Sequence, residues 1–131
     1  MKKIAIIGGG ISGLSFANLL EKNSNYNFTI FEKRPTIDMG DSYGIQLSAN
    51  SIKILNQIGF KNLNKNEIYN PKKISFINAA NDQGICELDI SKFNYQDCKY
   101  TTLKRSTLVK FLLNNISKEK FKLNTEIKNI S

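Results

Sequence analysis

The 131-residue sequence contains no histidine, only two cysteines, two prolines and two arginines. Without histidine the chain offers no imidazole base and no histidine-containing zinc site. Cys86 and Cys98 are far apart and match no metal spacing, so no metal site is expected; they read as reduced, partly buried thiols of a cytoplasmic protein. No stretch approaches the roughly 18 consecutive apolar residues of a membrane span. Met1 to Gly8 has the outline of a short signal peptide, a basic head before apolar residues, but the apolar run is too short, and export is rejected. Arginine is the scarcest cation: seventeen of the nineteen basic residues are lysines, spread without any block of five like charges. A net charge of +8 arranged this way argues against nucleic acid, whose readers favour the rigid guanidinium fork, and suits an anionic cofactor or substrate instead. With two prolines and no repeat, the chain has no low-complexity linker. It is one small domain or part of a larger one, long enough to hide roughly two thirds of its unfolded surface.

What is present is concentrated between Lys2 and Lys33. Ile4-Ala5-Ile6-Ile7 is an apolar run without alternation, expected to be a central parallel strand buried on both faces. Gly8-Gly9-Gly10-Ile11-Ser12-Gly13 follows, then a helical pattern from Leu14 to Leu20, then the β-rich Asn27-Phe28-Thr29-Ile30-Phe31, ending in Glu32. Strand, glycine turn, helix, strand and terminal acid together predict a dinucleotide-binding βαβ start. Gly8 allows the tight turn, Gly10 the approach of a pyrophosphate to the backbone, and Gly13 the close packing of helix on sheet. The free N–H groups of Ile11, Ser12 and Gly13 are expected to face the phosphates, helped by the helix dipole. Leu14, Ala17 and Leu20 are predicted to face the sheet, with Phe16 and Leu19 widening the buried stripe. The Glu32 carboxylate can accept from the 2′- and 3′-hydroxyls of an adenosine ribose and would repel a 2′-phosphate, which disfavours NADP at this position. Lys33 and Arg34 are placed over the adenine side or the pyrophosphate.

Further along, Pro35 to Tyr43 reads as a polar loop and Gly44 to Ser48 as a short extended piece. Ser48 or Asn50 caps a helix over 51–58 that presents Ile52, Leu55 and Ile58, with Gly59 as its C-terminal glycine. The stretch 63–71 reads as irregular. Lys72–Asn78 and Gly84–Ile90 form a predicted hairpin with one wet face. Phe93 to Lys99 is a loop. A helix starts at Ser106 or Thr107 and buries Leu108, Phe111, Leu112 and Ile116. A strand follows at 121–123, and another is expected to begin at Thr125.

Three motifs together resemble the N-terminal part of the FAD-dependent aromatic-ring monooxygenases, the salicylate-hydroxylase-like and ubiquinone-biosynthesis-hydroxylase-like group. They are Gly8-Gly9-Gly10-Ile11-Ser12-Gly13-Leu14 with Phe31-Glu32-Lys33; Gly44-Ile45-Gln46-Leu47-Ser48-Ala49-Asn50-Ser51 running on to Leu55 and Gly59, with Ala49 where the family usually has proline; and Leu103-Lys104-Arg105-Ser106-Thr107-Leu108 with Leu112. Asp41 and Tyr43 fall where the family loop is usually small and glycine-rich. The resemblance implies an α/β fold: a Rossmann-like FAD/NAD(P)-binding fold with a parallel sheet and an inserted antiparallel hairpin. It implies that 1–131 is the N-terminal portion of the FAD-binding domain, cut short of the substrate-covering part and the later FAD motif. It places Arg105 near the FAD pyrophosphate or ribityl chain and Gln46 near the isoalloxazine side.

In a full-length relative the resemblance implies FAD as cofactor, NAD(P)H as transient reductant, and hydroxylation of an aromatic or related small-molecule ring with O2. No catalytic acid or base is assigned. Other readings keep the fold and change the chemistry: a reductase-type or halogenase-type FAD oxidoreductase, or a non-catalytic truncated paralogue that acts as a binding module. If the chain ends at Ser131, one flank of the first strand lacks its parallel neighbour, and a second copy or a partner chain is expected to cover it.

Overall fold

The computed structural model of the protein describes residues 2–40 and 43–129. In chain order the elements are β1 (Lys2–Ile7), α1 (Ile11–Glu21), β2 (Tyr26–Phe31), β3 (Gly44–Leu47), α2 (Ala49–Asn56), β4 (Ile68–Tyr69), β5 (Lys73–Ile77), β6 (Gly84–Asp89), β7 (Thr101–Lys104), α3 (Arg105–Asn114) and β8 (Phe121–Lys122). They fall into two compact units, residues 1–43 with 105–131, and residues 44–104.

The first unit is the predicted Rossmann-like βαβ. Its sheet has the order β1-β2-β8, and both pairings are parallel. The β1–β2 register runs from Lys2 opposite Tyr26 to Ile7 opposite Phe31. Leu14, Ile30, Leu108, Val109 and Leu112 are the fully buried large side chains, and α1 packs against α3 as well as the sheet. Burying each such side chain contributes about 1.5–3 kcal/mol before the entropy of ordering is charged against it. Leu14, Ala17 and Leu20 are buried as predicted, but Phe16 is half exposed. The fourth buried position on α1 is Asn18, whose Nδ2 donates to the carbonyls of Leu14 (2.8 Å) and Leu112 (2.9 Å) and so ties α1 to α3.

β1 departs from expectation. It pairs with β2 alone among the described residues, and its burial alternates: Ile6 is inside while Ala5 and Ile7 are exposed. An apolar run reads as two-sided burial because parallel strands are usually covered on both faces; here helices cover one face only. The strand expected from Thr125 is absent through Asn129. Asn124 turns into the left-handed region (φ 51°), and the amides of Asn124 and Thr125 donate to the carbonyls of Arg34 (2.9 Å) and Glu32 (2.8 Å). Ile130 lies outside the described residues.

In the second unit β7 is the middle strand of an antiparallel sheet of order β3-β7-β4. Its four residues were not read as a strand from the sequence, nor was β4, which lies within the stretch read as irregular. Helix α2 buries Ile52 and Leu55; Ile58 is buried just beyond it, and Gly59 takes φ 97° as a C-terminal glycine does. The hairpin β5–β6 forms with the expected alternation. Ile74 pairs with Leu88 and Phe76 with Cys86 on one face; Lys73 pairs with Asp89 and Ser75 with Glu87 on the other. Both faces are wet, since Phe76, Cys86 and Leu88 are exposed together with the polar set. Cys98, by contrast, is buried, so only one of the two free thiols matches the expectation of partial burial.

Candidate functional site

The site is built where β1 stops. The Gly8 amide donates to the Phe31 carbonyl (2.8 Å), closing the end of the β1–β2 ladder, and Gly8 then turns at φ 102°, which a side chain would strain. Gly10 begins α1 as its N-cap in extended backbone (φ −78°, ψ 179°) and has no side chain to satisfy the first turn. Among the described residues no side chain accepts from the amides of Ile11, Ser12 or Gly13, so the positive end of the helix is left for another acceptor. Gly13 has the role predicted for it: a Cβ there would run into the Gly8 carbonyl oxygen. Gly10 is different. Its φ is ordinary and a Cβ would meet nothing within 4 Å.

The turn opens on a cleft of about 240 Å³ lined by Gly9, Gly10, Glu32, Lys33, Arg34, Asp38 and Arg105. Glu32 is fixed by its backbone, since its N–H donates to the Lys122 carbonyl (2.9 Å). Its carboxylate faces the turn: Oε2 accepts from the Gly9 amide (2.8 Å) and Oε1 from the Arg34 amide (2.9 Å). The Arg34 and Gly9 N–H groups hold its pKa below the usual carboxylate range; partial burial opposes this, and the charges of Arg34 and Lys33 add to it. A carboxylate accepts about four hydrogen bonds, so two acceptor positions remain.

Arg105 opens α3 and lines the cleft from the opposite end of the unit's sequence. Its side chain is 12% exposed. Nη1 donates to the Asp38 carbonyl (2.7 Å), the guanidinium lies over the Tyr43 ring (5.9 Å), and it fills the space a Cβ on Gly40 would need. Arg34 Nη1 pairs with Asp38 Oδ2 at 2.7 Å. That bond and the Gly40 N–H hold the Asp38 pKa down.

The expected cofactor residues Gly8, Gly10, Ile11, Ser12, Gly13, Glu32, Lys33, Arg34 and Arg105 all belong to this unit, and five of the cleft's seven lining residues are among them. Gln46 belongs to the second unit, on β3, where its Oε1 accepts from the Tyr100 hydroxyl (2.7 Å). Asp41 lies outside the described residues. Asp38 and Gly9 line the cleft and were not among the cofactor residues expected from the sequence. For Asp38 the signal was its position four residues after Arg34; for Gly9 it was only the tripled glycine, whose extra Cβ would strike Ile37. No cluster of three or more His, Cys, Asp or Glu able to hold a metal exists among the described residues, and no helix is long and apolar enough to cross a membrane.

Fold and turn define a Rossmann-type βαβ unit. The profile of the NAD(P)-binding Rossmann-like domain matches residues 6–52. The monooxygenase asqM of Emericella nidulans is 27% identical over 134 aligned residues, covering 98% of this chain and 29% of that protein. The FAD-dependent monooxygenase anuJ of Penicillium roqueforti is 45% identical over 58 residues, 44% of this chain and 7% of that protein. Among solved structures, 2-methyl-3-hydroxypyridine-5-carboxylic acid oxygenase superposes with a TM-score of 0.75 at 18% identity, over 96% of this chain and 32% of that one. Klebsiella pneumoniae HpxO, solved with FAD and uric acid, gives 0.72 at 16% identity, over 93% and 30%. The chain thus spans less than a third of the length of each of these relatives. The two curated relatives are monooxygenases, one of them FAD-dependent, and this chain is similar to a part of each.

Proposed function

We propose that this chain is the N-terminal portion of an FAD-binding domain and that its cleft holds the adenosine diphosphate end of FAD. The observation that carries the reading is Gly10. The protein's own packing leaves room for a side chain there, at the mouth of a helix N-terminus whose amides no side chain takes. A glycine that neither backbone angle nor packing requires is accounted for by a ligand lying against the backbone. The remaining residues fit the same group. Glu32, aimed at the turn by two amides, keeps acceptor positions for two ribose hydroxyls. Lys33, Arg34 and Arg105 against Glu32 and Asp38 leave the cleft positive by one charge, which suits a diphosphate. At about 240 Å³ the cleft is smaller than a typical whole-cofactor pocket and is sized for part of a dinucleotide.

When bound in a complete relative, FAD supplies the redox and oxygen chemistry, with NAD(P)H as reductant and an aromatic or related ring as the group hydroxylated. The residues of this chain bind and orient; none is placed as a catalytic acid or base. Titration of the purified protein with FAD, read by flavin fluorescence, tests the reading, with FMN as the control that lacks the adenosine diphosphate. Saturable binding of FAD but not FMN is expected. Glu32→Ala is expected to weaken it by about tenfold or more, since it removes charge-assisted bonds. Equal affinity for FMN and FAD, or none for FAD, contradicts it.

A further inference from the structure

We propose that Asp38 is the resident counter-ion of the cleft: it occupies the two guanidinium groups until an anionic ligand displaces it, and so sets the affinity for that ligand. The inference rests on the diphosphate reading of the cleft and goes beyond it by naming an internal competitor. The sequence holds only two arginines among nineteen basic residues. Both line this cleft, and both meet the same aspartate. Arg34 Nη1 lies 2.7 Å from Asp38 Oδ2; Arg105 Nη1 lies 4.0 Å from Asp38 Oδ1 and donates to the Asp38 carbonyl at 2.7 Å.

The two arginines are held differently. Arg105 is almost wholly covered, anchored by a backbone carbonyl and sandwiched between Gly40 and the Tyr43 ring, so its position does not need the Asp38 carboxylate. Arg34 and the Asp38 carboxylate are each about half exposed, and their ion pair is the side-chain contact that occupies Arg34. The Asp38 carboxylate itself is kept charged and in place by Arg34 and by the Gly40 amide at 3.0 Å. It therefore presents two acceptor oxygens to two guanidinium groups, the role that two phosphate oxygens would take. A diphosphate entering the cleft competes with the Asp38 carboxylate for Arg34, whose Nη1 the ion pair holds, and gains the whole guanidinium fork by displacing it. The partner is exposed, so the cost of breaking the pair is small and salt-dependent, which makes Asp38 a tuning residue and not a block.

Among the described residues, the titratable and charged groups facing Asp38 are Arg34 and Arg105, with Glu32 and Lys33 on the same cleft wall. Replacing the carboxylate by an isosteric amide leaves the Asp38 carbonyl to Arg105 and raises the net charge of the cleft by one. The result is opposite in sign to that of a structural role: Asp38→Asn should bind anions more tightly, not less.

The test uses the whole protein and inorganic pyrophosphate, with FAD as a separate arm. With only two arginines, the guanidinium region of a 15N spectrum holds two side-chain signals, assigned by Arg34→Lys. Both signals are expected to shift together as pyrophosphate is added. In Asp38→Asn the Arg34 signal should move toward that of a free side chain before any ligand is added. Pyrophosphate affinity should rise about threefold to tenfold at low ionic strength, as for one charge removed at contact range, and the gain should shrink in concentrated salt. Unchanged or weaker pyrophosphate binding in Asp38→Asn, an unmoved Arg34 signal, or no binding of pyrophosphate to either protein overturns the proposal. Pyrophosphate binding that responds to Asp38→Asn while FAD fails to bind sustains this inference and removes the flavin reading instead.

Discussion

The α1–α3 layer over the parallel sheet and the β5–β6 hairpin are made of similar residues and end in opposite states. Leu112 in the first is fully buried; Leu88 in the second is 45% exposed. Both sit in correct secondary structure with the apolar alternation their element calls for. The difference is the second layer. α1 and α3 bury each other and the sheet, locked by the Asn18 side chain across 94 residues of sequence. The hairpin has a wet apolar face, and an isolated two-stranded ribbon is marginal on its own. Local pattern specifies an element; a covering layer supplies its stability.

That contrast can be broken directly with one substitution made twice. Leu112→Ala should destabilise the protein by about 2–5 kcal/mol, the range for a buried leucine. Leu88→Ala should change stability by no more than about 0.5 kcal/mol. Urea unfolding followed by circular dichroism reads both; equal losses would mean that the hairpin is packed as tightly as the helix layer. A smaller effect is expected at the turn that joins packing to function. Gly13→Ala pushes a Cβ into the Gly8 carbonyl and should cost about 1–3 kcal/mol in the same assay. If it is neutral, helix and strand are not in the close contact described.

The smallest effect is electrostatic. The Glu32 pKa is held down in the folded protein by the Arg34 and Gly9 amides. A depressed carboxylate pKa means that the unfolded state takes up the proton first on acidification. The stabilisation is therefore complete above the ordinary glutamate pKa of about 4.3 and is lost as pH falls through the folded value. Glu32→Gln, which resembles the protonated side chain at every pH, should flatten the acid limb of a stability–pH curve by lowering its neutral plateau while the acid end stays little changed. An unaltered acid limb would place Glu32 away from its two amides.

How much of this was legible in the sequence follows the same division. The βαβ start could be read because the pattern changes period at a glycine turn and ends in an acid at a set distance, all within about thirty residues. Glu32, Gly10 and Gly13 were found by that spacing. Arg105 was found by resemblance, and its burial against Gly40 and Tyr43 could not be foreseen because those partners lie more than sixty residues earlier. Asn18 looks like an ordinary polar helix residue, since nothing local announces a carbonyl arriving from α3. Phe16 was read as core by helical spacing and is half exposed, while Asn18 is buried instead. Asp38 sits in an aperiodic loop, where charge tells little until the fold brings two arginines to it. β1 was read as two-sided because its residues suit burial on both faces, and the described residues supply cover for one.

The central claim is that Gly10 is glycine for a ligand's sake and not for the fold's. Gly10→Ala, compared with the unchanged protein in FAD titration and in urea unfolding on the same preparation, tests it most directly. The expected result is unfolding within about 1 kcal/mol of the original, since the added methyl meets only open space and alanine is a somewhat poorer N-cap than glycine, together with at least a tenfold loss of FAD affinity as the methyl keeps the diphosphate off the amides. Undiminished FAD binding in a normally folded Gly10→Ala protein would contradict it.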